Sequence, residues 1–134
     1  MFENLDPSMS VSEQEAEELA AACPDGGVIL EIGSNVGRGT ERIVAALKGA
    51  GRVVSIDNND SYVEQARLRV PEATVICDYS QTYVPDFTPD VILVDGGIST
   101  RRSDVARYRE MFPQAAIFLH DANLIGYSKR MARV

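Results

Sequence analysis

The sequence predicts a single doubly wound α/β domain: a mainly parallel sheet of about five strands with helices on both faces. Three observations predict it. Short apolar runs alternate with segments of helical spacing along the chain. The runs are apolar almost throughout, as strands covered on both faces of a parallel sheet usually are. Glycine or acidic residues recur just beyond the carboxyl end of each run, the edge where open α/β sheets bind ligands.

Each element has its own warrant. Residues 1–9, with Pro7, read as a loose arm. Ser12 and Glu15 have capping-box spacing and start a helix over Glu13 to Cys23, which Pro24-Asp25-Gly26-Gly27 stops. Val28 to Ile32 is the first strand. Arg38 to Leu47 is a helix with Ile43, Val44 and Leu47 on one face, closed by Gly49-Ala50-Gly51. Val53 to Ile56 is the second strand, ending at Asp57. Asn59 or Asp60 caps a helix to about Val70, closed by Pro71. Ala73 to Cys77 is the third strand, ending at Asp78, and a polar connection from Tyr79 to Pro89 follows. Val91 to Val94 is the fourth strand, ending at Asp95-Gly96-Gly97. Arg101 to Phe112 is a helix with Val105, Tyr108 and Phe112 on one side. Ala115 to Leu119 is the fifth strand, ending at His120-Asp121, and a short last helix is expected from about Leu124 to Arg133.

Bulk properties exclude several classes. The 134 residues suit one domain, read here as 1–134, with no repeat or linker. A net charge of -7 argues against nucleic acid held by general electrostatics. No stretch approaches the roughly 20 apolar residues of a membrane span, and the N-terminus lacks a signal-peptide pattern, so a cytoplasmic protein is expected. Cys23 and Cys77 form no CxxC pair and are expected to be reduced, with Cys77 buried in its strand.

The first strand-to-helix turn, Gly33-Ser34-Asn35-Val36-Gly37-Arg38-Gly39, carries the functional signal. Its glycines allow a tight turn and close approach of a ligand to the backbone. Its spacing is G-x-x-x-G-x-G, unlike the G-x-G-x-x-G of dinucleotide sites, and no GxxxxGK[ST] exists anywhere. Glu31 lies inside an otherwise apolar strand, and a buried acid needs a partner such as a ligand's ammonium group or the loop backbone. Asp57, about 20 residues past the loop, is placed to take ribose hydroxyls. Asp78 and the neighbouring Tyr79 are placed to meet an adenine. Together these groups suit an adenosine with an amino-acid tail.

Those residues resemble a known family. Val28 to Thr40 resembles the first motif of Rossmann-like S-adenosylmethionine-dependent methyltransferases, most like a bacterial small-molecule branch related to catechol-type O-methyltransferases. Asp57 and Asp78 fall at that family's ribose-side and adenine-side acids. Val91 to Gly96 resembles its fourth motif, Phe118 to Asp121 the end of its fifth strand, and Met9 to Leu19 the helix that folds over the cofactor. The resemblance covers roughly residues 9–125. It implies S-adenosylmethionine contacts at Glu31, Gly33, Ser34, Asn35, Gly37, Asp57, Asn58, Asp78, Tyr79 and Asp95, and methyl transfer to a small molecule at oxygen. His120, the only histidine, sits at the ligand edge and with Asp95 is a candidate catalytic group; the resemblance further implies a Mg2+ ion held by Asp95, Asp121 and Asn123, oxygens that suit a hard cation.

The departures are specific. Gly96 to Thr100 contains neither the histidine nor the lysine common in relatives. Ala122 follows Asp121, which puts Asn123 one place late. Two further strands usual in the family are missing after the fifth, which predicts an exposed edge and a homodimer. Arg101 and Arg102 read as a solvated helix start or an anchor for an acidic acceptor, and Tyr79 and Tyr83 as packing residues or flanks of the adenine. Three readings stay open: an active methyltransferase, a non-catalytic domain binding S-adenosylmethionine or S-adenosylhomocysteine, and a NAD-dependent oxidoreductase, which the glycine spacing disfavours.

Overall fold

The computed structural model describes residues 10–134; the expected arm at residues 1–9 lies outside them. The elements are α1 (Glu13–Ala22), β1 (Gly27–Ile32), α2 (Arg38–Leu47), β2 (Gly51–Asp57), α3 (Asp60–Arg69), β3 (Thr74–Cys77), β4 (Val91–Val94), α4 (Arg101–Met111), β5 (Ala116–His120) and β6 (Met131–Arg133). Short 3-10 turns precede α4 and follow β5.

The sheet order is β3-β2-β1-β4-β5-β6. The first five strands are parallel, and β6 runs antiparallel to β5, pairing Leu119 with Ala132. The order therefore reverses between β1 and β4. At that switch point two connections diverge to opposite faces and leave a crevice beyond the carboxyl ends.

Local rules explain most boundaries. Ser12 caps α1 with a complete capping box to Glu15. Asn59 caps α3 by accepting from the Tyr62 N–H at 3.1 Å. All six residues of β1 are buried, because helices cover both its faces. On one face Ile29 packs with Val11, Leu19, Ile43 and Leu93. On the other, Val28, Leu30 and Ile32 pack with Ile92, Tyr108 and Ile117.

Three expectations are corrected. The last helix does not form: after a 3-10 turn over Ala122–Ile125 and Gly126 at φ +102°, the chain returns as β6. Pairing with β5 satisfies the backbone and buries Met131, which outweighs local helix propensity. The sheet thus has six strands, with β6 covering the edge of β5 on which a dimer was predicated; the outer strands β3 and β6 are short, which blunts edges. Cys77 is exposed rather than buried, and its thiol donates to Asp60. No helix among the described residues is long and apolar enough to cross a membrane.

Candidate functional site

A cleft of about 580 Å³ opens at the switch point, a size typical of small-molecule sites. It is lined by the carboxyl ends of β1, β2, β3 and β4, by the glycine loop, by Ser10 and Val11 ahead of α1, and by the turn from Gly96 to Arg101.

Glu31 is 1% exposed and reaches the cleft from inside β1. One carboxyl oxygen accepts from Thr40 at 2.5 Å and from Ser55 at 2.7 Å. Both hydroxyls are themselves fully buried. Burial pushes the Glu31 carboxyl up to about 7, with Asp95 and Asp57 adding to the rise and the two hydroxyls opposing it. This acid gains from a cation and is already positioned by two donors.

Gly33 follows at φ +102°, and a Cβ there would stand 2.3 Å from the Asp95 carbonyl oxygen. Only glycine lets the β1 loop lie this close to the end of β4. The loop is further tied by the Gly33 and Ser34 N–H groups, which donate to the Ile56 carbonyl at 2.8 and 3.0 Å. Asp57 then fixes the loop from β2: one oxygen accepts from the Asn35 N–H at 2.9 Å, the other from the Asn59 N–H at 3.0 Å. Each carboxylate oxygen keeps a second acceptor site, so ribose-like hydroxyls can still be bound. Asp78 accepts from the Tyr79 N–H at 2.7 Å and lines the cleft beside Ser80 and Gln81.

The cleft thus gathers Glu31, Gly33, Ser34, Asn35, Asp57, Asn58, Asp78 and Asp95 from the residues expected to contact the cofactor. It leaves out two. At Gly37, φ is +93° and a Cβ would meet the Ala66 Cα at 2.9 Å, so this glycine serves the packing of α2 on α3. Tyr79 is 58% exposed and lies outside the lining, while Tyr83 is buried in the core.

The end of the cleft at β4 and β5 is dominated by a buried ion network. His120 is fully buried. Its Nδ1 lies 3.1 Å from Asp95 and its Nε2 lies 3.1 Å from Glu15 of α1. Burial disfavours its charge, but Asp95, Asp121 and Glu15 outweigh that and raise its pKa. Arg101 is 5% exposed, neither a solvated residue nor a free anchor. Its guanidinium stands 3.4 Å from both Asp95 and Asp121. Arg130 adds pairs with Glu15 at 3.9 Å and Asp121 at 3.7 Å, and donates to the Ser10 carbonyl. Arg42 holds the Val11 carbonyl at 2.6 Å. The network therefore ties the segment ahead of α1 to the end of β5.

Sequence reasoning missed Glu15, Arg101 and Arg130 as partners here. The capping box accounted for Glu15, whose Oε1 both accepts from the Ser12 N–H and faces His120. Nothing local signals its second role. The expected metal site fares differently. Asp95, His120 and Asp121 bring ligand atoms within 4.8 Å of one another, but the Arg101 guanidinium pairs with both acids. Asn123, the third expected ligand, is exposed. These residues do not fit a resident Mg2+.

No family model matches the sequence, and no curated protein matches it. Solved structures do match in three dimensions. A candidate rRNA methylase from Clostridium thermocellum superposes with TM-score 0.65 at 15% identity, over 82% of this chain and 68% of that one. The plantazolicin methyltransferase, bound to S-adenosylhomocysteine and a substrate analogue, gives 0.69 at 17% identity over 88% and 49%. An amino pentose methyltransferase from Micromonospora echinaspora, bound to S-adenosylmethionine, gives 0.63 at 20% identity over 80% and 48%. The chain has the S-adenosylmethionine-dependent methyltransferase fold. It spans about half the length of the latter two enzymes.

Proposed function

We propose that this domain binds S-adenosylmethionine and transfers its methyl group to a small-molecule acceptor. One observation carries the reading: Glu31, the Gly33 loop, Asp57 and Asp78 line one continuous cleft at the switch point. Glu31 would take the ammonium end, the Gly33 turn would let the amino-acid tail approach the backbone, Asp57 would take the ribose and Asp78 the adenine side. When bound, the cofactor supplies an electrophilic methyl group; the domain supplies position, which is the main requirement of an in-line displacement. The net charge of -7 favours a small acceptor over a nucleic acid.

The resemblance pointed to an oxygen acceptor deprotonated by His120 or a metal. A hydroxyl needs such help. Both His120 nitrogens are engaged with carboxylates, and Asp95 is paired with His120 and Arg101. This engagement supports an acceptor that arrives with its lone pair free, and a positioning role for His120 and Asp95. The same observation favours a second reading, a domain that binds the cofactor without turning it over.

Calorimetric titration with S-adenosylmethionine, S-adenosylhomocysteine and NAD tests the binding step. Binding of the first two is expected, and binding of NAD alone would overturn the reading. Release of S-adenosylhomocysteine across a panel of amines and phenols then separates enzyme from binding domain.

A further inference from the structure

The donor set at the end of β4 and β5 is that of a hard-cation site. Two carboxylates, Asp95 and Asp121, and two backbone carbonyls, Gly96 and His120, all face one guanidinium. Such oxygens are what Mg2+, Mn2+ or Ca2+ selects. The place of such an ion is filled by the chain itself. The Arg101 Nε and Nη2 donate to the Gly96 carbonyl at 2.9 and 2.8 Å. Its Nη1 donates to the His120 carbonyl and stands 3.4 Å from the Asp121 carboxylate, while Nη2 stands 3.4 Å from Asp95. These contacts engage all three nitrogens of the guanidinium.

We propose that Arg101 is a resident cation that replaces a divalent ion between Asp95 and Asp121, so that the cleft works without metal and carries a latent metal site beneath the arginine.

Two arguments support this over an ordinary structural ion pair. First, geometry: an ion bound to both carboxylates would lie at about 2.0–2.6 Å from their oxygens, in the space the guanidinium holds. Second, charge: guanidinium cannot lose its proton in a protein, so the positive charge there is permanent. A divalent ion would have to enter beside a fixed positive charge. Arg130 lies 3.7 Å from Asp121 as well and adds to the repulsion. Position in the chain explains the arrangement. Arg101 opens α4, directly after the turn that follows β4, and its side chain runs back under that turn to the sheet edge.

The inference does not depend on turnover, because its test reads metal binding. Mn2+ is titrated into the intact chain and followed by electron paramagnetic resonance. The wild type is expected to bind no Mn2+ that is lost in Asp121→Asn, and its affinity for S-adenosylhomocysteine is expected to be the same in EDTA and in excess Mg2+. Arg101→Ala is expected to gain one Mn2+ site, with a rise in melting temperature on adding Mg2+ or Mn2+, and to lose it again in Arg101→Ala/Asp121→Asn. Arg101→Lys keeps a charge on the same stem and is expected to exclude Mn2+ like the wild type. A wild-type Mn2+ site that Asp121→Asn abolishes overturns the proposal. So does a folded Arg101→Ala that gains nothing. If Arg101→Ala does not fold, the wild type and Arg101→Lys decide it: Mn2+ bound at Asp121 in either overturns it. Failure of S-adenosylhomocysteine to bind at all would instead count against the cofactor reading and leave the Mn2+ outcome to be read separately.

Discussion

The two ends of the cleft are built on opposite plans. At the cofactor end, Glu31 and Asp57 are held by donors that leave acceptor capacity unused and, for Glu31, a burial cost that a cation would relieve. At the end proposed for the acceptor, Asp95, Asp121 and Glu15 already have partners within reach in His120, Arg101 and Arg130. The first end waits for a ligand; the second satisfies itself. Breaking a closed ion network of this kind leaves charges stranded.

The largest effect is expected where the two ends meet. Gly33→Ala places a methyl group 2.3 Å from the Asp95 carbonyl oxygen at a φ of +102°. Neither strand end can retreat without losing ladder hydrogen bonds. Destabilisation of about 4 kcal/mol or more is expected from clash and backbone strain together. Urea denaturation measures it; a loss below about 1 kcal/mol would show the loop to be pliable.

His120→Ala follows. It strips Asp95 and Glu15 of a shared partner inside the protein and opens a cavity. A loss of about 3 kcal/mol is expected, at the low end for a broken buried pair because Arg101 and Arg130 remain beside the acids. A base in methyl transfer would instead give a stable variant with lost turnover, so stability and turnover must be measured together.

How much of this could be read beforehand follows contact range. Gly33, Asp57 and Asp78 were legible because strand periodicity places them at one edge, and the edge of a doubly wound sheet is the ligand edge. Glu31 was legible as an acid inside an apolar strand. The His120–Glu15 pair spans 105 residues, and no local pattern encodes it. Arg101 looked like a surface charge because composition says nothing of a carbonyl five residues back, a carboxylate six back, and a second carbonyl and carboxylate further along the chain. Gly37 looked like a ligand glycine because its positive φ is needed either way; only the approach of Ala66 shows which use it serves. The segment that became β6 has helix-compatible residues, and only the free edge of β5 decided against them.

Glu31→Gln tests the cofactor end and has two signs. Below about pH 4.5 the acid is protonated in folded and unfolded chains alike. Between about 4.5 and 7 only the unfolded chain ionises, so the wild type loses stability as pH rises through this window. Above about 7 the penalty is constant. Gln keeps an oxygen for Thr40 and Ser55 and cannot ionise. The ligand-free variant is therefore expected to be more stable than wild type near pH 8 by roughly 2 kcal/mol, with the difference vanishing below about pH 4.5. It should also bind S-adenosylmethionine more weakly, and wild-type affinity should fall as pH drops below about 7. A variant with unchanged affinity at all pH values would remove Glu31 from the ammonium site.

Tyr79→Ala should do least, and the small effect is informative. Tyr79 is 58% exposed and its side chain lies outside the cleft, while its N–H donates to Asp78 whatever the side chain. Truncating an exposed residue away from buried networks usually changes stability by less than about 0.5 kcal/mol. Affinity for S-adenosylhomocysteine should stay within about twofold of wild type. A stacking role would cost about 1 kcal/mol or more, in line with aromatic contacts elsewhere. A tenfold loss measured by calorimetry would mean that the ring swings over the adenine on binding. The cofactor end would then rearrange around its ligand, and the contrast between a waiting end and a closed end would become one between a mobile wall and a fixed one.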